Sequence, residues 1–152
     1  MKKALLAAII GTSTLLASGT AVAQVKPEDV IKFRQSVYTV IGWHVRPMGG
    51  MVKGQIPYNQ AEFLRNAEIV ADMSKIAPHA FPAGSDTGAT TRAKPEIWSD
   101  AAGFKKVMDN FQAEAAKLAE VAKTATSVDQ VRGQFGALGK SCGACHDNFR
   151  TK

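Results

Sequence analysis

Near its end the chain reads Cys142-Gly143-Ala144-Cys145-His146, and no other cysteine occurs in its 152 residues. Two thiols three residues apart with an imidazole next to the second form the arrangement in which both sulfurs add to haem vinyl groups and the histidine ligates the iron. On a helix or helical turn, residues three apart share a face. Both sulfurs can then reach one edge of a porphyrin while His146 swings under its centre. Two other chemistries use such a pair. A thioredoxin-like redox couple belongs to a βαβ pattern, and a zinc site needs a second pair of ligands; the chain supplies neither context. One covalent haem c per chain is therefore the expected cofactor.

The elements that must position this motif read as helices, with no run of period-two alternation bounded by turns. The first starts at Pro27, a good first helical residue, with Glu28 and Asp29 complementing the helix dipole. Its face is read as Val30, Phe33, Val37 and Val40, and its end is expected ahead of Pro47. A glycine-rich turn from Met48 to Tyr58 follows. Asn59 with Glu62 begins a second helix that carries Phe63, Ala67, Val70 and Ile76 and stops before Pro78. A third, from about Ser99 to Ala122, keeps the three-four rhythm through Phe104, Val107, Met108, Phe111, Ala115, Leu118 and Ala122. The fourth starts at Ser127, capped by Gln130. In it Val131, Phe135, Leu138, Cys142, Cys145 and Phe149 make one seam, so the haem would take the place of core side chains. The pattern predicts an all-α fold, an antiparallel four-helix bundle with the cofactor inside. The long connection from Ala77 to Trp98 is of a length that is usually functional or disordered.

The first 23 residues do not belong to that domain. Lys2 and Lys3, an apolar run from Ala4 to Ile10 continuing loosely through Leu16, and Ala21-Val22-Ala23 read as a secretory signal peptide cut before Gln24. The run is broken by Gly11 to Thr14 and falls short of the roughly 20 apolar residues of a membrane span. The expected domain is 24–152, exported to the periplasm. Two of the formal +6 charges lie in the removable segment. With no basic cluster and no recognition motif, nucleic-acid binding is set aside, and no membrane partner is expected.

Only Asp147 to Lys152 follow His146, and none is methionine. This excludes the small electron-transfer cytochromes, whose haem motif lies near the N-terminus with a methionine ligand far downstream. The arrangement looks like the class II cytochromes. Four stretches resemble the cytochrome c′ family: Lys26-Pro27-Glu28-Asp29 leading to Phe33-Arg34-Gln35-Ser36; Val52-Lys53-Gly54-Gln55-Ile56-Pro57-Tyr58; Lys94-Pro95-Glu96-Ile97-Trp98-Ser99-Asp100; and Ser141 through Arg150.

The resemblance implies haem on Cys142 and Cys145, with His146 as the only protein ligand and the other iron face empty in an apolar pocket. Such a site favours nitric oxide or carbon monoxide over water and anions. It also places Arg34 and Gln35 near the haem propionates, Arg92 on the same side, Tyr38 over the vacant iron site and Phe81 at the pocket wall. Arg150 would lie beside the proximal imidazole, or serve only as a C-terminal cation complementing the helix dipole. Ile41, one turn beyond Tyr38, should extend the apolar wall. Tyr38 could shield the iron, hydrogen-bond a bound ligand or ligate, and Arg34 could instead lie on a solvated helix face.

A sixth protein ligand would turn gas binding into electron transfer by a six-coordinate class II cytochrome. The first helix has no methionine between Pro27 and Arg46, the usual source. His79 is the residue that most challenges the five-coordinate reading, with His44 second; Met73 and Met108 are read as packing residues. An enzyme would want distal acid-base groups that are not evident, so none is expected. The resemblance further implies a homodimer through the first two helices, and a modest positive charge leaves room for redox partner proteins.

Overall fold

A computed structural model of the chain describes residues 25–152. The expected signal peptide and its cleavage before Gln24 lie outside the described residues. Helix α1 (Pro27–Val52) opens on Pro27 with Glu28 and Asp29 in its first turn, as its sequence dictates. It does not stop at Pro47. A proline in a helix interior costs about 3 kcal/mol and here removes the donor for the Trp43 carbonyl. Trp43 lies on the exposed face, where water can serve that carbonyl. Met48 and Met51, both buried beyond the proline, offset the loss at about 1.5–3 kcal/mol each. The helix ends where Gly54 takes a positive φ of 70° and donates its N–H to the Met51 carbonyl at 3.1 Å.

The inward face of α1 is also one step round from the expected one. Ile31, Arg34, Val37 and Ile41 are buried, whereas Phe33 and Val40 are exposed. Both rows keep helical spacing, so periodicity alone could not choose between them. Helix α2 (Gln60–Ile76) begins as expected, with Asn59 Oδ1 accepting the Glu62 N–H at 2.9 Å. Its buried row, Phe63, Ala67, Val70 and Ser74, passes on to Ala77 and leaves Ile76 exposed, which corrects the reading of Ile76 as core.

A 3₁₀ turn, Ala77–Ala80, leads into the long connection, which contains one further helical turn, α3 (Glu96–Ser99). Helix α4 (Ala101–Thr124) is capped by the Asp100 carboxylate on Gly103 N–H, 2.9 Å, and buries Phe104, Met108, Phe111, Ala115, Leu118 and Ala122. Helix α5 (Val128–Phe149) starts with the Ser127–Gln130 capping box and buries Val131, Leu138 and Phe149, with Cys142 and Cys145 half-buried on the same stripe.

Cross-helix bonds fix the directions. Arg34 near the start of α1 reaches Ala80 just after α2. Gln60 at the start of α2 reaches Lys123 at the end of α4. Arg132 early in α5 reaches Val52 at the end of α1. Phe104 early in α4 meets Phe149 at the end of α5. Each neighbour therefore runs antiparallel, and α1, α2, α4 and α5 close a ring of four.

The two halves of the bundle differ. Met48, Met51, Phe63, Leu118 and Val131 fill one half with side chains. The other half is built by the N-terminal parts of α1 and α4, the C-terminal part of α5, and the long connection. That connection is pinned on both sides: Arg34 and Gln35 bond it to α1, while Lys94 N–H donates to the Phe149 carbonyl and Thr151 N–H to the Arg92 carbonyl. Gly88, at φ +105°, lies against Pro27 so closely that a Cβ there would meet the proline's Cβ at 3.0 Å.

Candidate haem site

This second half of the bundle surrounds a cavity of about 760 Å³ that opens to solvent. Its α5 wall carries Cys142, Cys145, His146 and Arg150; its α1 wall Arg34, Tyr38, Ile41 and Val45; its α4 wall Phe104, Met108 and Phe111; and the connection adds Phe81, Thr91 and Arg92. Every site residue expected from the sequence thus faces one space, Gln35 included.

Both thiols are unpaired. Burial raises the pKa of each, and Cys145 is pushed up to about 11 by burial first and the neighbouring Cys142 second. A disulfide oxidoreductase needs a thiolate with a depressed pKa, so the cavity opposes the thioredoxin-like alternative. His146 moves the other way. Burial, then Arg150 and Arg92, lower its pKa, which keeps the imidazole neutral with a lone pair to give. Arg150 Nη1 lies 3.3 Å from His146 Nε2. A guanidinium only donates, so Nε2 accepts there and the ring proton sits on Nδ1. Nε2 is thus the nitrogen available to a metal, and Arg150 would have to yield that lone pair.

Arg34 is 4% exposed, which overturns the solvated-face alternative. Its Nη1 donates to the Ala80 carbonyl at 3.2 Å and Ser85 Oγ at 3.1 Å. Its Nη2 donates to the Ser85 carbonyl at 2.8 Å and Thr91 Oγ1 at 3.1 Å. The guanidinium also lies 4.9 Å from the Phe81 ring centre and 5.8 Å from that of Trp98. Among the described residues no carboxylate pairs with it. Gln35 donates to the Thr90 carbonyl at 2.9 Å, and Arg92 stands exposed near the same rim.

Tyr38 is half-buried, and burial raises its phenol well above the ordinary value, so it stays neutral. Its ring meets Phe81 edge-on at 6.2 Å, Phe81 meets Phe104 at 4.9 Å, and Phe104 meets Phe149 at 5.4 Å. The Tyr38 hydroxyl donates to Met108 Sδ at 3.9 Å. Met108 was read from sequence as packing alone; its place one turn after Phe104 on the inward row was the signal that it faces the same space. Ser85, Thr90 and Thr91 carry no comparable signal, because their role depends on how the connection folds back.

The remaining ligand candidates lie elsewhere. His79 is exposed and outside the cavity. His44 Nδ1 lies 2.7 Å from Asn66 Oδ1 between α1 and α2, again outside.

The donor set fits a haem. Two thiols and a neutral imidazole share one wall. Among the described residues three guanidinium groups and no carboxylate line the cavity, an electrostatic setting that calls for an anion such as a pair of propionates. Apart from Gln35, Thr39, Thr90, Thr91 and Ser141, the rest is apolar and aromatic, and the volume is that of a cofactor site.

A family model described as Cytochrome C' matches residues 29–150. A cytochrome c' of Alcaligenes xylosoxydans xylosoxydans is 43% identical over 127 residues, which is 84% of this chain and 97% of that protein. The solved cytochrome c prime from Shewanella frigidimarina has a TM-score of 0.80 at 39% identity, covering 85% of this chain and 99% of that one. A variant of the Alcaligenes xylosoxidans protein solved as a nitric oxide complex gives a TM-score of 0.77 at 43% identity over 84% of this chain and 98% of its own. Another variant of that protein is solved with carbon monoxide bound.

Proposed function

Because the chain belongs to the cytochrome c′ family, whose cofactor is covalent haem c, we propose that it binds nitric oxide and carbon monoxide at a five-coordinate haem iron. Cys142 and Cys145 hold the haem through thioethers, and His146 is its only protein ligand. When bound, the haem supplies an iron centre that can take a diatomic ligand and change oxidation state.

The chain's own residues set the conditions. The observation that carries the reading is the composition of the α1 and α4 walls. Between Tyr38 and Val45 and between Phe104 and Phe111, the side chains facing the cavity are Tyr38, Thr39, Ile41, Val45, Phe104, Met108 and Phe111, with no histidine, lysine or carboxylate among them. A neutral diatomic loses little on entering such a space, whereas a hydrated anion loses its shell. Gln35 and Arg92 stand at the rim suited to the propionates, and the buried Arg34, whose Nη groups donate to Ala80, Ser85 and Thr91, adds positive charge behind them. Arg150, which contacts His146 Nε2 at 3.3 Å, would give that lone pair up to the iron and remain as a cation beside the imidazole.

The six-coordinate electron-transfer alternative needs a sixth ligand. His79 and His44 are outside the cavity, and burial raises the Tyr38 phenol, which disfavours the phenolate that would ligate. Gas binding is therefore the stronger reading, with slow electron exchange with partner proteins as a secondary role and no enzymatic turnover assigned.

Two further parts of the proposal rest on other features. The Met1–Ala23 segment supports export to the periplasm. Phe33, Val40 and Trp43 form an outward apolar row on α1, Trp43 being 68% exposed, which supports a homodimer.

Visible and resonance Raman spectra of the purified haem protein, oxidised and reduced, with and without each gas, test the reading. Five-coordinate iron that takes up nitric oxide and carbon monoxide is expected. A six-coordinate low-spin spectrum indifferent to both gases would overturn it.

A further inference from the structure

The apolar stretch of the cavity contains one phenolic hydroxyl, that of the half-buried Tyr38, and it has two possible uses. It can hydrogen-bond a ligand in the cavity, or it can be held by the protein. The structure shows it held: Tyr38 on α1 donates to Met108 Sδ on α4 at 3.9 Å. A thioether is a weak acceptor, but a buried hydroxyl with no partner carries the larger penalty, so the contact persists where nothing better competes. Both partners are fixed. Met108 is 3% exposed and stands on the buried row of α4 between Phe104 and Phe111, one turn to either side. The Tyr38 ring rests edge-on against Phe81. A leucine at position 108 would pack comparably, but it would offer the hydroxyl no acceptor.

Resting on the gas-binding reading above, we propose that Met108 is a positioning residue: its sulfur holds the Tyr38 hydroxyl, so the cavity turns the tyrosine's ring rather than its O–H toward a bound diatomic. Met108 thereby keeps the site apolar although it contains a tyrosine. Bound gas is then distinguished by size and access, without a hydrogen bond from the pocket.

The test compares ferrous carbon monoxide complexes of the wild-type protein, Tyr38→Phe, Met108→Leu and the double variant, reading the C–O stretching frequency and the rate of nitric oxide release. Tyr38→Phe should leave the frequency unchanged while Met108 is present. Met108→Leu should lower it and slow nitric oxide release by about three- to tenfold, the effect of one added hydrogen bond. Both changes should vanish in the double variant, which a purely structural role for Met108 would not produce. A frequency shift in Tyr38→Phe overturns the proposal, because the hydroxyl would then already reach the ligand. That variant removes one oxygen and keeps the packing, so this arm stands even if Met108→Leu fails to fold. A carbon monoxide complex indifferent to the Met108→Leu change also overturns it, while leaving gas binding intact. If no variant forms the complex, the gas-binding reading itself fails and the proposal falls with it.

Discussion

A buried guanidinium that no carboxylate among the described residues pairs with is costly, and Arg34 shows how this chain meets the cost. Four contacts to Ala80, Ser85 and Thr91 spread its charge over carbonyl and hydroxyl oxygens, and two aromatic faces complete its surroundings. Burial lowers its pKa, but a guanidinium remains charged throughout the physiological range. Substituting Arg34→Leu strands these acceptors and should cost on the order of 3 kcal/mol. Chemical denaturation of the haem protein would measure it, with Arg34→Lys recovering only part of the loss because an ammonium cannot span the same fork of acceptors. A change below about 0.5 kcal/mol would mean that the connection is held by other contacts. At this scale the haem motif was fully legible, because two thiols and an imidazole at fixed spacing carry their chemistry wherever the chain places them. Arg34's partners were not, since they lie 46 to 57 residues away along the chain.

Among the elements, the ends of α2, α4 and α5 follow local rules, because a cap is a contact between residues three apart. Asn59 with Glu62, Asp100 with Gly103 and Ser127 with Gln130 satisfy helix-end donors without help from the rest of the fold. The end of α1 does not follow them. Pro47 is a local stop signal, and it is overridden by burial of Met48 and Met51 in a core supplied by the other helices. The connection between α2 and α4 is also decided at a distance, by the bonds that Arg34 and Gln35 make to it. Gly88 makes this dependence testable. At φ +105°, with Pro27 Cβ 3.0 Å from where a side chain would begin, Gly88→Ala should cost about 1–2 kcal/mol and loosen the connection from α1. Thermal unfolding would register the loss, and hydrogen exchange in residues 81–95 would rise selectively. An equally stable variant would show that the connection shifts freely at that point.

For the whole molecule, the division into a packed half and a cavity half sets the behaviour. A cavity of about 760 Å³ leaves its apolar lining without partner atoms on one side, so this half has fewer contacts to hold it than the packed half. The Cys142→Ser/Cys145→Ser variant, freed of haem, should lose amide protection around residues 34–45 and 104–111 while 63–70 and 115–122 keep theirs. Uniform loss across both halves in hydrogen exchange would contradict the division. The outward row on α1 makes a second prediction at this scale. Val40→Asp with Trp43→Arg should raise a homodimer's dissociation constant at least about tenfold by sedimentation and leave the haem spectrum unchanged. A wild-type chain that sediments as a monomer at every concentration would remove the dimer from the proposal. By itself the sequence determined the haem-binding motif, the four helices with most of their caps, and the family resemblance, because these are read from residues close together along the chain. The tertiary structure decided which of two overlapping rows on α1 faces inward, that Arg34 is buried against the connection, that His79 lies outside the cavity, and that Met108 shares it with Tyr38. All four depend on where one element sits against another, and periodicity within a single helix holds no record of that.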